Sequence, residues 1–151
     1  MPLGLGKKRG PQALGRSRGG FSTKIHLVCT DERHALGVAL TPGQAGDAPA
    51  GVCLVEQIIQ IPEVKACGGD RAYDTDLIRA MLKAARKQVV IPPKANRNEQ
   101  YRYSKKKYKE RNRAERLINR LKQYRAIATR YDKLDSMFLG TILAALTVIR
   151  L

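Results

Sequence analysis

The chain has 151 residues, 29 of them Lys or Arg against 13 Asp or Glu, for a formal charge of +16, and 43% of its residues are hydrophobic. That length makes one domain or part of a larger one. The apolar share excludes a disordered basic tail, and the charge points to a polyanionic partner, nucleic acid before an acidic membrane surface.

The first twenty residues are Gly-rich and basic and read as an exposed arm, with residues 21–151 as the domain proper. Phe21, Thr23, Ile25 and Leu27 alternate with Ser22, Lys24 and His26, which predicts a half-buried strand with His26 on its polar side, exposed or facing phosphate. Residues 30–33 read as a hairpin turn, and a second strand follows over about 35–40. Asp47 is placed to cap a helix in which Val52, Val55 and Ile59 recur at helical spacing, with Pro49 tolerated in its first turn. Residues 64–67 form a short strand running into Gly68, Gly69 and Asp70. Asp74 is a second cap candidate, ahead of a helix with Leu77, Ile78, Met81, Leu82 and Ala85 on one face. Residues 88–91 read as a further buried strand, stopped by Pro92 and Pro93. One long helix is predicted over about 104–130 and an apolar one over about 135–150. The run from Met137 to Ile149 is too short to span a bilayer, so no membrane association is expected.

The order β-β-α-β-α-β-loop-α-α is a mixed α/β layout with crossover helices. No GxxxxGK[ST] or GxGxxG motif occurs, which argues against a nucleoside-triphosphate loop. Cys29, Cys53 and Cys67 form no CxxC pair, so a disulfide framework or zinc ribbon is excluded, a reducing cytosolic setting fits, and the three thiols are expected as small buried hydrophobes.

The charge is concentrated at two places. Residues 1–30 carry Lys7, Lys8, Arg9, Arg16, Arg18 and Lys24 with no acid, and Arg16 and Arg18 are candidates to face phosphate. Residues 101–125 carry eleven Lys or Arg and two acids, Glu110 and Glu115. On a helical wheel at 100° per residue, Tyr108, Arg111, Glu115 and Lys122 share a stripe roughly 60° wide. Ala114, Leu117, Leu121, Tyr124 and Ala128 fall on a separate, apolar face. A carboxylate flanked by cations suits a divalent metal and phosphates; a surface Arg111–Glu115 pair at i,i+4 is the plainer reading. Asp70, after a strand and before a helix, sits where ligands gather in α/β folds, and equally where a turn or cap residue would.

The spacing Tyr108-x2-Arg111-x3-Glu115-x6-Lys122, with the stretches LGRSRGGFSTKIH, LTPGQAGD, GDRAYDT and ERLINRLKQYRAIATRYDK, resembles the catalytic region of bacterial insertion-sequence transposases of the DDE class from about residue 13 to the end. The resemblance implies a ribonuclease H-like mixed sheet flanked by helices, in which three acids bind two divalent metals. It implies Asp70 as the second catalytic acid and Glu115 as the third, both ligands of Mg²⁺ or Mn²⁺, with Tyr108, Arg111 and Lys122 contacting DNA phosphates. Two such metals activate the attacking oxygen and stabilise the leaving one. The family's first Asp lies upstream of the GRSRGG segment; here no Asp or Glu precedes Asp31, which falls in the hairpin turn.

The resemblance therefore implies a C-terminal portion without its first strand and first catalytic Asp, inactive until that Asp is supplied. Its implied partners are element-end and target DNA, an upstream-frame polypeptide or an intact transposase, and further copies of itself, in a cytoplasmic, nucleoid-associated setting. The alternative is a non-catalytic basic DNA-binding protein, or an inhibitor of an intact transposase, with salt-dependent and metal-independent binding. An RNA-binding reading rests on charge alone and lacks an aromatic stacking platform.

Overall fold

The computed structural model describes residues 10–151, so Lys7, Lys8 and Arg9 of the expected arm lie outside the described residues. Within the segment read as an arm, Gly15–Ser17 form strand β1 and pair with the start of β2 (Gly20–Cys29). The rest of β2, Thr23–Cys29, pairs antiparallel with β3 (Ala35–Pro42). The hairpin closes where expected. Asp31 Oδ1 accepts the backbone N–H groups of Arg33 (2.7 Å) and His34 (3.0 Å), a side chain standing in for backbone in a tight turn. Asp31 is thus committed to the turn.

The expected alternation on β2 holds from Ile25 onward, whereas Phe21, expected on the same face, is 79% exposed at the end of the strand that pairs with β1. Ile25, Leu27 and Cys29 pack with Val38 and Leu40 of β3 against the helices that end the chain. Helix α1 (Ala48–Ile59) touches the same two strands, and a parallel pair, β4 (Ala66–Gly68) with β5 (Gln88–Val90), forms beyond it with α2 (Asp76–Ala84) against β5. Val55, Ile78, Leu82 and Ile91 make the core between α1, α2 and this pair. A single mixed sheet was the expectation; the described residues form two sheets, because no strand bridges β2 and β4.

The long helix expected over 104–130 is three helices: α3 (Lys105–Lys109), α4 (Asn112–Lys122) and α5 (Arg125–Thr129). At the first joint the backbone tightens to i→i−3 bonds, Glu110 N–H to Lys107 O and Arg111 N–H to Tyr108 O, so helical phase is nearly kept. At the second, Tyr124 turns extended (ψ 113°) and phase is lost. Leu117 and Leu121 are buried as expected, but past the break Ile127 is buried and Ala128 is exposed. Helix α6 (Asp135–Arg150) follows the predicted bounds and closes this core with Phe138, Ile142, Leu146 and Ile149. Arg130, left-handed at φ +48°, lays its guanidinium over Phe138 and hydrogen-bonds Thr23 and the carbonyl of Gln12, tying the start of the described chain to α6.

Gly51 on α1 permits a close approach. A Cβ there would lie 2.6 Å from Tyr73 Cδ1 and 3.0 Å from Ile78 Cδ1. Gly51→Ala is expected to lower stability by about 1–3 kcal/mol through overpacking, read as a lower urea midpoint at unchanged slope. An unaltered midpoint would show that Tyr73 is not held by this contact.

Candidate functional site

Asp70 follows β4 and Gly69 and caps the 3₁₀ turn Arg71–Tyr73, its Oδ1 accepting the N–H of Ala72 at 2.9 Å. Tyr73, at the end of that turn, hydrogen-bonds His26 Nδ1 at 2.9 Å, and His26 Nε2 meets Thr41 Oγ1 at 2.8 Å. His26 is therefore not exposed as expected. It is 3% exposed, because α1 and the turn cover the polar face of β2. Burial lowers its pKa and outweighs the pull of Asp47; burial, with Asp47 and Asp70 nearby, pushes the Tyr73 phenol up to about 12. The neutral His–Tyr–Thr chain fixes the turn that carries Asp70. Asp47 stands at the cap position of α1 but makes no capping hydrogen bond. Its carboxylate takes Lys24 Nζ at 2.8 Å instead.

A histidine whose folded pKa is depressed favours the fold fully above its unfolded value and progressively less as pH falls through that value. The unfolding free energy is accordingly expected to be flat above about pH 7 and to decline in the window that opens below about pH 6.5, and His26→Gln is expected to remove that slope. Urea titrations of both proteins above the window and within it measure it; an equal slope in the variant would assign it to another group.

The basic helix pair carries the second half of the site. Tyr108 lies on α3, Arg111 at the joint, and Glu115 in the first turn of α4. The Arg111 guanidinium sits 5.4 Å from the Tyr108 ring centroid, and its Nη2 donates to Glu115 Oε1 at 2.9 Å. Tyr103 packs edge-on to Tyr108, with centroids 5.5 Å apart. Three members of the predicted stripe thus touch in sequence, because the joint preserves phase. Lys122, at the far end of α4, is exposed. Glu115 is half-exposed and Asp70 partly buried. The two acids make no direct contact, and among the described residues no three His, Cys, Asp or Glu side chains converge as a metal site. Arg16 and Arg18, at β1 and its turn, are exposed.

Sequence reasoning missed a buried charge network beside this site. Asp74 was a cap candidate, but Thr75 caps α2 through a 3.2 Å bond from Ile78 N–H. Asp74, 2% exposed, instead accepts from Arg79 Nε (2.6 Å), Lys94 N–H (2.7 Å) and Arg97 Nε (2.9 Å). Arg97 also holds Asp76, and both guanidiniums flank the Tyr101 ring. The network ties the basic connection after β5 to α2. The one legible signal was an Asp five residues before an Arg with Pro92 and Pro93 downstream, which fits many surfaces equally well. The cysteines also depart from expectation: Cys53 is exposed, and Cys29 and Cys67 are partly buried. No helix among the described residues is long and apolar enough to cross a membrane.

A family model described as a transposase DDE domain matches residues 5–149. A Brucella ovis protein that carries the name of a transposase for insertion sequence element IS6501 is 33% identical over 132 residues, covering 85% of this chain and 98% of its own length. No solved structure matches the chain.

Proposed function

The chain belongs to the transposase DDE domain family of insertion-sequence transposases, and on that premise we propose that residues 21–151 act as a partial ribonuclease H-like catalytic domain, behind a basic arm over residues 1–20. The mixed α/β architecture is compatible with this fold. The observation that carries the reading is the contact chain Tyr108–Arg111–Glu115, which sets one carboxylate beside a cation on a strongly basic helix pair. DNA is the partner such a surface suits.

Asp70 and Glu115 are oxygen donors with solvent access, the ligand type that Mg²⁺ or Mn²⁺ prefers. They fit in kind and fall short in number, since the proposed chemistry uses three acids and the described residues assemble no such triad. A bound metal pair supplies an activated attacking oxygen and a stabilised leaving oxygen. The chain's own residues do the rest. Arg111 orients Glu115 and offers its remaining N–H groups to a phosphate. Tyr108 supports the guanidinium, and Lys122, Arg16 and Arg18 add phosphate contacts. The His26–Tyr73 pair holds the turn of Asp70.

The reading is tested by joining the chain to an upstream strand bearing an Asp. Cleavage of element-end DNA with Mg²⁺ and none without metal is expected; no cleavage in either condition contradicts it. The absence of a converged triad also favours a second reading, a DNA-binding piece without chemistry. That piece would bind DNA equally well with and without metal.

A further inference from the structure

Helix α4 turns two cationic flanks to solvent. With each residue advancing about 100°, Arg111, Glu115 and Lys122 form one flank, and Arg113, Arg116 and Arg120 form another roughly 150° away. Asn112 and Asn119 fall midway between them, and Leu117 and Leu121 point the opposite way, into the core. Glu32 of the hairpin turn pairs with Arg116 at 3.2 Å and Arg120 at 3.6 Å, which holds both on the second flank. Asn112 and Asn119 are exposed, and among the described residues neither amide has a hydrogen-bond partner. Asn disfavours a helix interior, so Asn119 weakens α4 slightly and supports nothing else in the fold.

We propose that α4 docks in the major groove of duplex DNA, with Asn112 and Asn119 toward the base edges and the two flanks toward the phosphates of opposite strands. A helix with its side chains is about 10–12 Å across; the major groove of B-DNA is about 12 Å wide and the minor groove about 6 Å. One phosphate track would occupy a single flank, whereas the two walls of a groove occupy both. An Asn amide can bond the N6 and N7 positions of adenine together. Two helical turns, about 10.5 Å, separate Asn112 from Asn119, which is about three base-pair steps of duplex. The flank that carries Glu115 then lies along one strand, so the bases met by the two amides fix which phosphate reaches that carboxylate. Groove docking rests on DNA as the partner proposed above and adds a base-reading element to it.

The test selects duplexes bound by the full chain, in EDTA, from a DNA pool randomised at its centre, for wild type, Asn112→Ala and Asn119→Ala. Wild type is expected to select adenine at two positions about three base pairs apart, and each variant to lose one of them. Replacing both adenines by 7-deazaadenine, in which C–H stands for the N7 acceptor, is expected to weaken wild type about tenfold and the double Asn variant not at all. Arg113→Gln with Arg120→Gln is expected to keep the selected sequence and lower the salt slope by about two. Ala favours a helix more than Asn does, so the Asn variants are expected to fold. The chelator makes the outcome independent of any metal at Asp70 and Glu115. Selection without a preference, the same preference in all three proteins, or equal affinity for an RNA duplex of the selected sequence, whose major groove is too narrow for side chains to read, would each overturn the groove docking and leave the cleavage proposal standing. No binding to any duplex would overturn both.

Discussion

Asp74→Ala is expected to destabilise the fold by about 3–5 kcal/mol, the usual cost of leaving a buried ion-pair partner uncompensated. Arg79 has a side chain only 5% exposed and would keep its charge without Asp74. Its second contact, from Nη2 to the carbonyl of Ile91 at 2.9 Å, cannot neutralise it. Arg97 would still have Asp76, but the N–H of Lys94 would lose its acceptor. Burial works to raise the Asp74 pKa, yet the Lys94 N–H and the two guanidiniums hold it below the ordinary carboxylate range. Its stabilising effect is therefore complete above the unfolded carboxyl range and lost as pH falls through the depressed folded value. Denaturant unfolding of wild type and variant near neutral pH measures the difference. A loss below about 1 kcal/mol would mean that water replaces the carboxylate and that the network is not closed.

The second large effect concerns chemistry. In the polypeptide completed by an Asp-bearing strand, Asp70→Asn and Glu115→Gln are each expected to reduce metal-dependent DNA cleavage by more than the roughly 100-fold typical of losing an outer-shell partner of a metal. Both changes are nearly isosteric. Asn at position 70 still accepts the Ala72 N–H, so the turn keeps its cap, and Glu115 is half-exposed, so the helix loses only a surface pair. Folding is thus expected to be unaffected, which separates a catalytic loss from collapse. Glu110→Gln is the control. That carboxylate lies five residues earlier, pairs loosely with Arg113 at 3.7 Å, and has no assigned role, so near-normal cleavage is expected. Equal losses at Glu110 and Glu115 would reduce the effect to general charge.

The sequence carried the elements whose signals are local. The alternation of β2 from Ile25 onward, the Asp31 turn and the apolar α6 follow from period and turn chemistry, and they stand where expected. Tyr108, Arg111 and Glu115 were legible as a stripe because the α3–α4 joint keeps phase. What failed depended on packing between distant segments. His26 reads as a polar-face residue until α1 and the turn at Tyr73 cover it. Asp47 reads as a cap until Lys24, far away in sequence, takes its carboxylate. Asp74 reads as a cap until Arg79 and Arg97 surround it. The break at Tyr124 has no Pro or Gly to announce it, and it moves the buried position from Ala128 to Ile127.

The claim that Asp70 and Glu115 belong to one metal site is tested most directly by Mn²⁺ titration of the ¹⁵N-labelled chain, followed by NMR. Expected is paramagnetic broadening of the amides of Asp70–Ala72 and of Ala114–Glu115 at the same Mn²⁺ concentration, with both sets recovering in Glu115→Gln. Broadening at one set alone, or spread equally over exposed acids such as Glu56, Glu63 and Asp76, would contradict a shared site.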